Sequence, residues 1–213
     1  MIDIAIIDYG MGNLYSLYCA CNIFGFKTKI TSDEDIINKS KIIILPGVGA
    51  FPDAMRIIKK KKLDYIILKN SEKNKKIIGI CLGMQLLFDS SNEFKITKGL
   101  GLVQGEVLAF NPSSFKNDYS LNVGWSDIIR KNVKSTLLEK IKKKDKFYFI
   151  HSYYCKPKDK RIITTNSIFN KNQFCSSIKS KNIEAFQFHP EKSSLSGLKI
   201  FKNIKKELNE ILI

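Results

Sequence analysis

The chain has 213 residues, of which 44% are hydrophobic and 26% charged; that is enough for one sizeable core, and no run approaches the roughly 18–20 apolar residues of a helical membrane span. Its net charge of +16 raises the possibility of a nucleic-acid binder. Yet only Arg56, Arg130 and Arg161 among the 36 basic residues are arginine, so the planar fork that reads phosphates and bases is scarce, and the Lys, Ile and Asn excess is the pattern of an AT-rich coding sequence. In chain order, residues 2–8 form a buried-strand run that opens the chain in place of a signal peptide. Asn13 can cap a helix through about Phe24, with Gly25 ending it. Residues 27–30 and 41–45 are strands, the second closing on Pro46-Gly47-Val48-Gly49. Residues 52–69 carry helical spacing that breaks in the lysine run. Residues 77–81 are a further strand, and residues 84–88 open the next helix.

This strand–helix alternation predicts a parallel sheet covered by helices, with chemistry at the carboxyl ends of the strands. The second half changes character. Residues 102–110, 121–129, 147–155, 162–165, 173–179 and 183–188 read as added, largely antiparallel strands, with a turn-rich stretch at 111–120. From Ser194 onward, Leu198, Phe201, Ile204, Leu208 and Ile211 share one helical stripe. Neither a repeat nor a linker divides the chain, so residues 1–213 are read as a single domain.

Two segments carry reactive side chains. Gly79-Ile80-Cys81-Leu82-Gly83 places a cysteine between small residues where a strand turns into a helix, the layout of a nucleophile elbow. Gln187-Phe188-His189-Pro190-Glu191 puts an imidazole and a carboxylate on one side of an extended chain. Thiol, base and orienting acid are the parts of nucleophilic catalysis. The base is His189 or His151, the two histidines present. The bland alternative for Glu191 and Lys192 is a surface turn in water. For Cys19, Cys21, Cys155 and Cys175 it is structural burial as reduced thiols, which fits a cytoplasmic protein. The Pro46–Gly49 turn lets a main-chain N–H point at a developing oxyanion. Gly10-Met11-Gly12 lacks the third glycine of a dinucleotide site. There is no phosphate-binding loop motif, no Cys-x-x-Cys pair, and too few histidines for a typical zinc site.

Taken together, these segments resemble the class I, triad-type glutamine amidotransferases and, among them, the glutaminase subunits of imidazole glycerol phosphate synthase. The match runs through Ile7-Asp8-Tyr9-Gly10-Met11-Gly12-Asn13, Leu45-Pro46-Gly47-Val48-Gly49-Ala50-Phe51, Gly79-Ile80-Cys81-Leu82-Gly83-Met84-Gln85, Tyr148-Phe149-Ile150-His151-Ser152-Tyr153-Tyr154 and Phe186-Gln187-Phe188-His189-Pro190-Glu191-Lys192-Ser193. The resemblance implies a flavodoxin-like, three-layer α/β fold with a mainly parallel central sheet, helices on both faces and antiparallel additions. It implies Cys81 as nucleophile, His189 as base and then acid, and Glu191 as the residue that orients it. Backbone N–H groups of Leu82 and Val48 would form the oxyanion hole, and Gly49, Gln85, Ser152 and Tyr153 would hold glutamine. Asn13, Trp125 and Lys192 would face a partner, a cyclase subunit with a (β/α)8 barrel that receives ammonia in a heterodimer. Partner binding would reorient the peptide at Gly47–Val48. Neither metal nor organic cofactor is implied, nor nucleic acid or membrane.

One segment departs from the resemblance. Where those subunits usually carry Pro-His-x-Gly-Trp-Asn, this chain has Leu121-Asn122-Val123-Gly124-Trp125-Ser126. The change leaves open a paralogous glutaminase that feeds another acceptor, such as a surface-sugar amidotransferase, and, less favoured, a non-catalytic binding subunit. For Trp125 the bland alternative is core packing.

Overall fold

A computed structural model describes residues 2–110 and 121–210. The predicted turn at 111–120 and the helical position Ile211 lie outside those residues. The first half alternates β1 (Ile2–Ile7), α1 (Leu14–Ile23), β2 (Thr28–Thr31), α2 (Glu34–Lys39), β3 (Ser40–Leu45), α3 (Phe51–Lys60), α4 (Leu63–Glu72), β4 (Lys76–Ile80) and α5 (Leu82–Leu86). Asn13 caps α1 by accepting the Ser16 N–H, and the lysine run breaks its helix where Lys62 turns left-handed at φ 56°. The second half is β5 (Phe88–Ser91), β6 (Thr97–Lys98), β7 (Val103–Ala109), β8 (Asn122–Asp127), β9 (Ile129–Arg130), β10 (Lys146–His151), β11 (Tyr153–Pro157), β12 (Ile163–Phe169), β13 (Asn172–Ser180), β14 (Ile183–Phe186) and α6 (Ser194–Glu210).

The main sheet runs β2-β1-β3-β4-β14-β13-β11-β7-β5-β6, with β12 and β9 branching from β13. Strands β2, β1, β3, β4 and β14 pair in parallel; antiparallel pairing begins where β14 meets β13. Alternation along each parallel strand sends side chains to two cores. Ala5, Ile7, Ile43, Leu45 and Ile77 pack with α2, α3 and α4 on one face. On the other, Ile4, Ile6, Ile42, Ile44, Ile78 and Ile80 meet Leu17 and Cys21 of α1 and Ile200, Phe201, Ile204 and Leu208 of α6. These are the three layers the sequence implied.

The elements differ from the prediction in several places. The helix after Cys81 stops at Leu86, because the carbonyls of Leu86, Leu87 and Phe88 accept N–H groups from Leu100, Val103 and Gly101, which draws Phe88 into the sheet as β5. The run 147–155 is two strands: β10 pairs with β8 in a separate two-stranded sheet, and the chain crosses at Ser152 to join the main sheet as β11. Helix α2 has no counterpart in the sequence reading; its signals are the Asp33 side chain accepting from Ile36 N at 2.9 Å and Glu34 and Asp35 in its first turn.

Candidate active site

Cys81 ends β4 and starts α5 with φ 53°, ψ −113°, a conformation outside the allowed regions for side-chain-bearing residues that costs about 1–3 kcal/mol. Its neighbours explain how the turn closes. A side-chain carbon on Gly83 would overlap the Leu45 carbonyl, and one on Gly47 would lie 2.5 Å from the Tyr9 hydroxyl and 2.8 Å from Leu82 Cβ. The loop after β3 therefore lies directly on the elbow. Tyr9, fully buried, pins that loop by donating its hydroxyl to Pro46 O at 2.9 Å. The Cys81 N–H is committed to Phe186 O at 2.7 Å, and the N–H groups of Met84 and Gln85 return to Cys81 O. The Leu82 N–H, next in the chain after the nucleophile, takes no part in these bonds.

His189 follows β14, the strand next to β4, and so arrives beside Cys81. Its Nδ1 lies 2.7 Å from Glu191 Oε1. The Glu191 side chain is only 4% exposed and that of His189 2%, which removes the surface-turn reading for Glu191, while Lys192 is exposed. The turn is held from below: Ser193 Oγ donates to His189 O at 2.6 Å and accepts from Tyr148 N at 3.0 Å. Burial disfavours an imidazolium here, but Cys81 and Glu191 outweigh it and raise the pKa of His189 to about 10. Among the described residues, His189 Nε2 and Glu191 Oε2 are buried without a hydrogen-bond partner. Such orphaned polar atoms cost stability.

Of the remaining candidate positions, all but Asn13 and Trp125 fall around one pocket of about 530 Å³. Val48, Gly49, Cys81, Leu82, Gln85, Ser152, Tyr153 and Lys192 line it, together with Glu93, Phe94, Ile150 and His151. Asn13 lies away from this lining, at the cap of α1. Trp125 is 50% exposed on β8, edge-on to Tyr148 at 6.0 Å, so core packing is excluded. Gln85 does not present its amide nitrogen to the pocket; that nitrogen donates to Tyr153 O at 3.0 Å and to Gln187 Oε1 at 3.2 Å.

His151, the other histidine, is not placed to serve as the base. Its Nδ1 is 2.8 Å from Tyr153 O and its Nε2 3.0 Å from Asn122 Nδ2. A carbonyl only accepts, so Nδ1 carries the proton and Nε2 accepts from Asn122. Burial among Phe110, Phe149 and Phe174 pushes its pKa down to about 3 and keeps it neutral. Two polar residues had no sequence signal. Gln187 is fully buried with Nε2 3.8 Å from Cys81 Sγ. Glu93 accepts the Phe51 N–H at 2.7 Å, and burial raises its carboxyl above the usual range. A glutamate two residues beyond a strand looks like any solvated loop acid. Among the described residues no group of three His, Cys, Asp or Glu side chains could hold a metal ion.

The family model for glutamine amidotransferase class-I matches residues 5–207. The imidazole glycerol phosphate synthase subunit HisH of Aquifex aeolicus is 40% identical over 207 residues, covering 97% of this chain and 97% of that protein. The HisH subunit of Chlorobaculum tepidum is 37% identical over 198 residues, covering 93% and 96%. Among solved structures, that of PurLQS from Thermotoga maritima superposes with a TM-score of 0.74 at 22% identity, over 98% of this chain and all of that one; at that identity the likeness speaks to the fold. With a matched model spanning nearly the whole chain and relatives of that identity, this chain belongs to the class I glutamine amidotransferase family.

Proposed function

We propose that this chain is the glutaminase subunit of an imidazole glycerol phosphate synthase, hydrolysing glutamine to glutamate and ammonia for a cyclase partner in histidine biosynthesis. The observation that carries the chemistry is the buried Glu191–His189 pair, 2.7 Å apart, set beside a cysteine on a strained elbow. The Cys81 thiolate attacks the side-chain amide carbon of glutamine. The resulting oxyanion accepts from the Leu82 N–H and from the N–H at Val48. Protonated His189 gives its proton to the amide nitrogen, the C–N bond breaks, and ammonia leaves a glutamyl thioester. Neutral His189 then takes a proton from water, whose oxygen attacks the thioester and releases glutamate and the thiolate. Gly49, Gln85, Ser152 and Tyr153 shape the end of the pocket for the amino-acid group, and the Glu93 carboxylate supplies the negative charge its ammonium needs.

Support for the partner comes from the two-stranded β8–β10 sheet. Leu121, Val123 and Trp125, at alternate positions, are each about half exposed, as is Ile150 beside them. That apolar stripe borders the pocket, since the Ile150 carbonyl faces Cys81 Sγ at 3.8 Å. Isolated apolar residues on a surface need no explanation, but a contiguous patch at a reaction site marks an interface. We assign this patch, with Asn13 and Lys192, to a (β/α)8 cyclase subunit in a heterodimer that takes ammonia directly from Cys81. A cytoplasmic setting follows from that pathway; no helix among the described residues is long and apolar enough to cross a membrane.

The test is glutamate release from glutamine with and without the barrel cyclase encoded by the same organism and its nucleotide ligand, with Cys81→Ala as blank. Strong stimulation that vanishes in the variant is expected. Glutaminase activity indifferent to that cyclase would move the acceptor to another synthase, the reading that the Leu121-Asn122 departure favours.

A further inference from the structure

A chain of hydrogen bonds crosses the protein interior from the β8–β10 sheet to the nucleophile. Asn122 Nδ2 donates to His151 Nε2 at 3.0 Å, and His151 Nδ1–H donates to Tyr153 O at 2.8 Å. The same carbonyl accepts from Gln85 Nε2 at 3.0 Å; the second hydrogen of that nitrogen goes to Gln187 Oε1 at 3.2 Å. Gln187 Nε2 is left facing Cys81 Sγ at 3.8 Å. An amide can ordinarily be turned end for end, but this sequence of bonds has one polarity. It starts from a backbone carbonyl that can only accept, so Gln85 must present nitrogen to it. Gln187 must then answer with oxygen, and among the described residues its own nitrogen has only the sulfur to meet. Gln187 is fully buried and Gln85 nearly so, so neither amide finds a compensating partner in water.

We propose that Gln187 is a further residue of the reaction centre, a fixed N–H donor that stabilises and aims the Cys81 thiolate, and that Gln85 and the Tyr153 carbonyl set its orientation. A hydrogen bond to an ionised acceptor is stronger than one to a neutral acceptor, so the donor favours the reactive form of the sulfur. Asn122, on the inner side of the strand whose outer side carries Trp125, anchors the far end. This links the exposed β8–β10 sheet to the nucleophile through named bonds. The proposal rests on the glutaminase reading for what Cys81 attacks, and on the geometry alone for how Cys81 is held.

The experiment is the pH–rate profile of Cys81 alkylation by iodoacetamide, followed by peptide mass spectrometry, on the full chain, so that it does not depend on glutamine turnover. The titratable groups facing Cys81 are His189 after β14, Tyr9 after β1 and Cys155 on β11; they are common to all variants compared. Gln187→Glu keeps the shape and turns the donor into an acceptor. We expect alkylation at neutral pH to fall about tenfold, with the profile moved about one unit to the alkaline side. Gln187→Met, which removes the donor without adding a charge, should lie between that variant and the parent. Gln85→Glu, one step away, should weaken alkylation less than Gln187→Glu. Thermal unfolding, read alongside, separates these effects from loss of fold. Equal profiles for the parent, Gln187→Glu and Gln187→Met, all folded, would overturn the proposal. So would a Gln187→Met variant as impaired as Gln187→Glu, because a packing role would then account for both. If all variants behave as expected but the parent releases no glutamate, the positioning role stands and the glutaminase reading fails.

Discussion

Two buried carboxylates at opposite ends of one strand are treated in opposite ways. Glu184, in β14, is surrounded by donors: Lys76 Nζ at 2.8 Å, Lys179 Nζ at 3.4 Å and Ser135 Oγ at 2.5 Å. Lys76 goes on to Glu207 of α6 at 2.8 Å. Among the described residues Glu191, just past the other end, is hydrogen-bonded only to His189, and its second oxygen is buried without a partner. Full satisfaction at the first end stabilises the assembly of β4, β14 and α6. The second end keeps a carboxylate and an imidazole that no other described residue saturates, so that their charge and proton act on Cys81. Stability and reactivity are thus placed at the two ends of the same strands, as parallel sheets commonly arrange them.

The contrast can be broken from either side. Removing the nucleophile has the largest effect: Cys81→Ala should lower glutaminase activity at least about 10³-fold, with unfolding behaviour close to the parent's. Next comes Glu191→Gln, which retains shape but loses the charge that orients His189; kcat should drop about 10²–10⁴-fold, read by coupled glutamate assay. Glu184→Ala should show the reverse pattern. Breaking a buried ion pair by deleting one partner costs about 3–5 kcal/mol, seen as a lowered denaturant midpoint, while Cys81 alkylation in the folded fraction stays near parental rates.

A pH series sharpens the same comparison. His189 has a folded pKa raised to about 10, above the unfolded value near 6.5. Its stabilising contribution is therefore fully present below about pH 6.5 and is lost as pH rises toward 10. The stability difference between parent and His189→Gln should shrink across that window. His151 has the opposite sign. Its folded pKa is pushed down to about 3, so the unfolded chain binds the extra proton first and stability falls as pH drops from about 6.5 toward 3. An imidazole NMR titration should show His151 neutral throughout that range of native pH values and His189 still protonated at pH 8. A His151 that titrates near 6.5 would break the assignment of the two rings.

Much of this site could be read along the chain because its parts are local. Gly79 and Gly83 around Cys81 announced the elbow, and the backbone contacts of Gly83 show why a side chain is not tolerated there. The two-residue spacing of His189 and Glu191 placed base and acid together. What escaped the sequence depends on strand order. Gln187 reaches Cys81 only because β14 lies beside β4, and Asn122 reaches His151 only because β8 and β10 pair across 29 positions. The early end of α5 was hidden for the same reason, since the N–H groups that claim its last carbonyls come from residues 100–103. Trp125 illustrates a further limit: alternation along a strand shows which residues share a face, but not whether that face meets the core or a partner.

The most direct test of the account is labelling with a diazoketone analogue of glutamine, which alkylates a thiol only after binding as the substrate does. Peptide mass spectrometry should find one adduct, on Cys81, suppressed by excess glutamine and strongly reduced in His189→Gln. An adduct on Cys19, Cys21, Cys155 or Cys175 instead, or a folded chain with an alkylatable Cys81 that takes no label from the analogue, would contradict it.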